Sequence, residues 1–338
     1  MAIYECRVNS ISRGQGRSSV AAAAYRAGEE LHCEYTGLTH DYRGKHYIEK
    51  TEIMLPDNAP AEWKNRETLW NAVEKAERSK DAKLAEEIMV ALPRELSKPQ
   101  REQLIHDFCD DLRKRGFIVD YAIHCPPAMD DLKRPVDEFG FPTKDLGRMQ
   151  FNPHAHIMLP IRPLDSDGNF IKRKAESEYV CKNPETGEKR RLTSSEIKNA
   201  HVKWEKIYPC LVDRKLSYLT KAEAAQLNVH RESLYPLKTR HGRPDPEYAY
   251  RMSKDFVEDI RASWEKYANA ALEKAGVSER IDRRSYKDQG SDKVAEPHMG
   301  PIVTQMERKA RRLEIEGKPV LESIRSDIAE MAKEIRKH

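Results

Sequence analysis

His154 and His156 stand two residues apart in a run, Pro153-His154-Ala155-His156-Ile157-Met158-Leu159, that alternates like a β-strand. A period of two puts both imidazoles on one face of a sheet and sends Ala155, Ile157 and Leu159 to the other. Two imidazoles on an open face clamp a divalent cation, and a third ligand makes a site that still leaves room for substrate. His124 ends the preceding strand-like run, Phe117 to His124, on its more polar face. If the two strands pair as a hairpin around the loop 125–150, the three rings converge. Taken alone, H-x-H is a weak motif, and a chance pair of surface histidines reads the same way.

A carboxylate and a nucleophile can be placed beside these rings. Glu86 and Glu87 lie at the start of a strand, Ala85 to Leu92, and one of them faces the histidine side. There it can orient a ligating imidazole through the second ring N–H; a solvated strand end is the competing reading. Tyr25 is one of 14 tyrosines, so its type alone says nothing. Its surroundings say more. Ser18, Ala21 and Ala22 share its helical face, and such small neighbours let a bulky polymer reach the phenol. Arg13, Arg17 and Arg26 nearby can pair with phosphates. An aromatic packed under an alanine-rich helix is the plainer alternative. A phenol titrates near pH ~10 and is a poor nucleophile at neutrality. A divalent cation helps by polarising a phosphoryl oxygen and by favouring a nearby phenolate. Tyrosine and three-histidine site together therefore suit phosphoryl transfer to a side chain.

The elements that must hold these groups follow from pattern. A short strand is expected over Ile3 to Val8, then a turn through Ser12-Arg13-Gly14-Gln15-Gly16-Arg17 and an Ala-rich helix, Val20 to Leu31, capped by Ser18 or Ser19. Extended structure is expected from Tyr42 to Leu55 and a helix from Arg66 to Glu77. Ser97 with Gln100 reads as a capping box for a helix through Leu112, stopped by Gly116. Residues 163–245 turn polar and read as an insertion. A long helix is expected from Pro246 to Ala275, ended by Gly276, and residues 301–338 are charged and helix-prone. Strands with one apolar face, interleaved with helices, predict an α+β fold: a central antiparallel sheet covered by helices on one side. The expected divisions are a core over 1–162, an insertion over 163–245, closing elements over 246–303 and a helical C-terminal extension over 304–338.

Bulk properties limit the alternatives. The chain has 338 residues and a formal net charge of only +4, so any basic surface is local. Six dispersed cysteines without a C-x-x-C pair fit a reducing cytoplasm. No secretory signal and no run long enough to span a membrane is visible.

The stretch Ser12-Arg13-Gly14-Gln15-Gly16-Arg17-Ser18-Ser19-Val20-Ala21-Ala22-Ala23-Ala24-Tyr25-Arg26-Ala27, with Glu87-Ile88-Met89-Val90-Ala91-Leu92-Pro93 and Asn152-Pro153-His154-Ala155-His156, resembles the MobA/MobL plasmid relaxases. Ala262-Ser263-Trp264-Glu265-Lys266-Tyr267-Ala268-Asn269 and Arg280-Ile281-Asp282-Arg283-Arg284-Ser285 resemble that family's closing helix and strand. The resemblance covers about 1–162 and 250–303. It implies the HUH endonuclease fold, with Tyr25 as nucleophile, His124, His154 and His156 as metal ligands and Glu87 as the acidic residue beside them. It further implies Mg²⁺ or Mn²⁺; imidazole is a softer ligand than Mg²⁺ usually selects, so Mn²⁺, Zn²⁺, Ni²⁺ or Co²⁺ can bind more tightly. The implied activity is nicking and rejoining of one strand at a plasmid transfer origin through a 5′-phosphotyrosine. The implied partners are single-stranded DNA, accessory mobilization proteins and a type IV secretion coupling protein, in the bacterial cytoplasm with no membrane contact. Arg283, Arg284 and Lys287 join the arginines near Tyr25 as candidate phosphate contacts. A replication initiator or transposase shares the chemistry but usually carries its histidine pair before the tyrosine. A hydrolase that activates water at the three histidines, and a DNA-binding subunit without catalysis, are the readings of other classes.

Overall fold

The computed structural model describes residues 4–290, apart from 131 and 286, and the isolated positions 306, 309, 313, 317 and 319. The expected C-terminal helical extension, 304–338, therefore lies almost wholly outside the described residues. The chain divides into two compact units, one of residues 1–57, 61–160 and 257–338, the other of 58–60 and 161–256.

The first unit is built on five antiparallel strands. They are β1 (Cys6–Ser12), β4 (Ile48–Met54), β5 (Lys83–Ala91), β6 (Val119–His124) and β7 (His154–Pro160), in the spatial order β1-β5-β7-β6-β4. A small hairpin of β2 (Glu30–Cys33) and β3 (Leu38–Asp41) stands apart from them. The helices are α1 (Ser19–Ala27), α2 (Arg66–Ala76) and α3 (Lys98–Lys114). A further helix, Lys254–Lys274, belongs to this unit from Val257 onward.

All six residues of β6 are buried, so both faces of the sheet need cover. On the Asp120 face lies α2: Arg66 Nε donates to Asp120 Oδ2 at 2.9 Å and Trp70 Nε1 to the same oxygen at 2.8 Å. On the Tyr121 face lies α3, whose Cys109 and Glu102 act electrostatically on the Tyr121 phenol. The expectation of helices on one side is thus corrected. The α+β class and the central antiparallel sheet stand.

Several boundaries differ for identifiable reasons. Pairing with β5 carries β1 on to Ser12, and a single 3₁₀ turn, Arg13–Gln15, follows. Ser18 caps α1, its hydroxyl accepting from Ala21 N at 3.3 Å. The helix stops at Ala27 rather than Leu31, because Gly28 takes φ 67° and returns its N–H to Ala24 O. A Cβ at position 28 would lie 2.5 Å from Ile48 Cδ1, so another residue there would have to displace that side chain as well as adopt the left-handed backbone that glycine takes freely. Ser97 and Gln100 form the capping box of α3, as expected, and Gly116 ends it at φ 85°. No strand forms at 280–285, where the resemblance implied one.

The second unit holds strands where the sequence suggested only turns. β8 (Ala175–Glu176), β9 (Glu178–Lys182), β10 (Lys189–Thr193), β11 (Glu205–Val212), β12 (Lys215–Thr220) and β13 (Arg243–Pro244) make a four-stranded sheet, β10-β9-β11-β12, and a separate β13-β8 pair. Tyr208, Cys210 and Ala224 form a small core there. The expected long helix over 246–275 is two, Pro246–Arg251 and Lys254–Lys274, broken at Met252-Ser253.

Candidate active site and metal centre

β6 and β7 pair antiparallel with His124 opposite His154, and β5 pairs with β7 so that Met89 faces His156. Paired residues share a sheet face, so His124, His154, His156 and Glu87 all rise from one surface. The hairpin needed for convergence is therefore present, around the loop 125–150. The three ring centroids lie 5.0, 5.1 and 5.4 Å apart. One ligand nitrogen from each ring lies within 4.8 Å of the other two. Metal–imidazole bonds are about 2.1 Å, so a divalent cation closes that span with small ring rotations.

Each ring has one nitrogen already engaged. His154 Nδ1 donates to Asn152 O at 2.9 Å, His156 Nδ1 to Glu87 Oε1 at 2.8 Å and His124 Nε2 to Arg26 O at 2.7 Å. An acceptor on one nitrogen places the proton there and leaves the lone pair of the other for a cation. Burial holds His124 down at about 3 and lowers His154 as well. Both rings are thus neutral and ready to ligate at physiological pH. Three nitrogens and no carboxylate in the inner set fit Mn²⁺ or a softer ion better than Mg²⁺.

Glu87, not Glu86, is the carboxylate of this cluster. Burial raises its pKa, but the bonds from His156 and the Arg26 guanidinium outweigh that and hold it at about 2. Glu86 is buried too, but it pairs with Lys83 and accepts from Ser10 Oγ at 3.1 Å.

Tyr25 occupies the last turn of α1 and is 48% exposed. It meets Tyr42 edge-on at 5.2 Å. Lys45 was not foreseen: its Nζ sits 3.8 Å from the Tyr25 ring centroid and donates to Tyr25 O at 2.9 Å. Burial, then the charge of Arg26, lowers Lys45 to about 8. The residue after the tyrosine, Arg26, touches the metal cluster twice. Its carbonyl takes the His124 proton and its guanidinium pairs with Glu87.

The proposed phosphate contacts fare unequally. The Arg13 side chain is only 5% exposed and is consumed by Glu74, which also receives Ser19 N at 2.9 Å. Arg13 therefore fixes the start of α1 instead of facing a polymer, and that expectation is corrected. Arg26 is committed to Glu87 and to Ala22 O at 2.8 Å. Arg17 is 38% exposed, its Nη1 donating to Ser10 O at 3.1 Å and its Nη2 lying 3.5 Å from Glu87 Oε2, so it is the most exposed of the three arginines near Tyr25. Arg283 pairs with Glu258 and Glu265, and Arg284 with Asp282. None of those contacts brings them to the histidines.

The sequence profile of the MobA/MobL family matches residues 17–309. The chain belongs to the MobA/MobL family. The matched span includes 163–245, which the motifs alone had left outside. Among its relatives, a probable mobilization protein MobA of Bifidobacterium longum is 32% identical over 91% of this chain and 45% of its own length. Mobilization protein MobL of Acidithiobacillus ferridurans is 31% identical over 91% of this chain and 65% of its own. Conjugal transfer protein TraA of Agrobacterium fabrum is 27% identical over 96% of this chain and 23% of its own. The chain thus spans less than two thirds of each. A solved structure titled "Molecular Basis of Vancomycin Resistance Transfer in Staphylococcus aureus" superposes with a TM-score of 0.52 and 22% identity, over 84% of this chain and 100% of that one, a likeness of fold. Among the described residues, no helix of this MobA/MobL protein is long and apolar enough to cross a membrane.

Proposed function

We propose that this protein is a plasmid mobilization relaxase that nicks one DNA strand at a transfer origin and later rejoins it. The observation that carries the reading is the seating of Tyr25's helical turn on the three-histidine cluster through Arg26. His124, His154 and His156 would hold the cation, Mn²⁺ or Mg²⁺, which when bound supplies charge stabilisation at the scissile phosphate. Glu87 holds the His156 tautomer that ligates. Tyr25 Oη attacks the phosphorus in line and the P–O3′ bond breaks. The phenol gives up its proton, the 3′-oxygen takes one up and leaves as a hydroxyl, and the phosphate stays joined to Tyr25 Oη and to the 5′-oxygen of the downstream strand. The reverse attack by the 3′-hydroxyl reseals the strand without ATP, because the phosphodiester is conserved in energy. Lys45 steadies the Tyr25 ring and keeps positive charge beside a developing phenolate. Accessory mobilization proteins and a type IV coupling protein are the expected partners, in the bacterial cytoplasm.

The deciding experiment incubates the protein with a labelled single-stranded oligonucleotide from its plasmid's transfer origin and Mn²⁺, followed by a denaturing gel. A denaturant-stable adduct that needs the metal and vanishes in Tyr25→Phe supports the reading. Cleavage that persists in Tyr25→Phe with no adduct means a water-activating nuclease.

A further inference from the structure

Beside the starts of β4 and α3 and the end of β6, a cleft of ≈ 550 Å³ opens, within the usual range for small-ligand sites. Arg94, Lys98 and Arg101 line it with Glu49, Tyr47 and Phe151. Three cations and one carboxylate make it locally basic in a chain of small net charge, and two aromatic rings join them. Two of its polar atoms, Arg101 Nε and Glu49 Oε2, are buried without a hydrogen-bond partner. Arg101 is otherwise held, its Nη1 donating to Leu96 O at 2.7 Å and its Nη2 lying 3.7 Å from Glu49 Oε1. Both atoms are closed to solvent, so Arg101 and Glu49 form the floor of the cleft, and Arg94, Lys98 and the two rings are the groups it offers to a ligand. Tyr47 adopts φ 65°, an unfavourable conformation for a bulky residue, and Cys125 N donates to its carbonyl at 2.8 Å.

The cleft and the metal centre share their strands. Cys125, in the cleft, follows His124; Pro153, in the cleft, precedes His154; and Ile48, in the cleft, pairs with His124. Cys125 and Pro153 stand one residue beyond the two histidines, and Ile48, paired with His124, shares its face, so the cleft lies at the sheet end beside the three imidazoles.

We infer that this cleft is a nucleotide subsite that takes an unpaired base and its phosphate from the strand flanking the cut. This rests on the strand-transfer reading above. Tyr47 and Phe151 offer rings to stack on the base, and Arg94 and Lys98 neutralise the phosphate.

Cys125 makes the test direct. Of the six cysteines, all among the described residues, it is the one that is not buried, and it lines the cleft. The full-length protein, without metal, is treated with a maleimide in the presence and absence of an oligothymidylate, and modification of Cys125 is read by mass spectrometry. Oligothymidylate binding is measured in parallel by fluorescence anisotropy for wild type, Lys98→Gln and Phe151→Leu, with melting temperatures as the folding control. Expected are protection of Cys125 by the oligonucleotide and binding weakened about tenfold in Phe151→Leu. Lys98→Gln should weaken binding and lower its salt dependence by about one counterion. Unprotected Cys125, or folded variants that bind like wild type, overturns the subsite. Protection by free thymidylate as strong as by the oligomer would make the cleft a mononucleotide site and likewise overturn it. The two readings fail separately. A Tyr25 adduct with unaltered variant binding removes only the subsite, and subsite binding without any adduct removes only the strand-transfer chemistry.

Discussion

The main-chain carbonyl of Arg26 accepts a hydrogen bond from His124 Nε2 at 2.7 Å, joining the turn that carries Tyr25 to the three-histidine cluster. The tyrosine's turn is thus tied to the cluster by a main-chain carbonyl on one side and the His124 ring on the other. Because the histidines are held ready in the folded chain, a cation that binds them must stabilise the fold. At about a hundredfold excess over its dissociation constant the gain is about 2.7 kcal/mol. Mn²⁺ should therefore raise the melting temperature of wild type and of Tyr25→Phe alike, and leave His154→Ala unmoved. An equal rise in His154→Ala would place the cation elsewhere.

Glu87 accepts from His156 Nδ1 at 2.8 Å and pairs with Arg26. Replacing it with glutamine keeps the shape but removes the charge that fixes the imidazole tautomer. Partners of this kind typically contribute about 10–100-fold to metal affinity. Glu87→Gln should weaken Mn²⁺ binding by that factor in calorimetry, whereas Glu86→Gln, at a carboxylate tied to Lys83 and Ser10, should leave it near wild type.

Acid should unfold the metal-free protein early, for reasons that add. Unfolded, the His124 ring takes a proton near the ordinary imidazole value of 6.5; folded, burial delays that to about 3. Between those values the unfolded chain binds the extra proton, so stability falls as pH drops through the window. Glu87 acts in the same direction lower down: its folded carboxyl is held at about 2 against 4.5, and its contribution is lost as pH falls through that range. The combined loss is on the order of a few kcal/mol. Melting temperature against pH should fall steadily below about pH 6.5, and His124→Asn should flatten the upper part of that fall. An unchanged slope in His124→Asn would mean that the ring is not buried neutral.

The three-histidine cluster was legible because its signal is local. H-x-H fixes two rings on one face by strand period alone, and His124 at a strand end needed only a hairpin. The choice between Glu86 and Glu87 was not legible from period alone without knowing the register, since the two face opposite sides. Burial set the limits elsewhere. Arg13 reads as a free cation until Glu74, 61 residues on, is seen to enclose it. The strands of 161–256 escaped because their small core, around Tyr208 and Cys210, leaves little apolar alternation. Their helix starts were marked all the same: Thr193 with Glu196 and Thr220 with Glu223 each form a capping box. Lys45 could not have been found, because its meeting with Tyr25 depends on where α1 stops at Gly28.

A last contact separates stability from chemistry. Asp120 stands on β6 four residues before His124 and on the same face, yet it is occupied by α2. Arg66 reaches it at 2.9 and 3.1 Å and Trp70 at 2.8 Å. Removing one partner of such a buried pair leaves the other charge without compensation and costs about 3–5 kcal/mol. Arg66→Met should therefore lower the midpoint of urea unfolding strongly. Arg66→Met with Asp120→Leu should recover much of that loss, because no buried charge is then stranded. Both variants should bind Mn²⁺ with wild-type affinity, since neither touches a histidine, Glu87 or Arg26. If the single variant cost under about 1 kcal/mol, Asp120 would have to be solvated or protonated in the fold, and if it also lost Mn²⁺, then α2 would support the metal centre as well as the sheet.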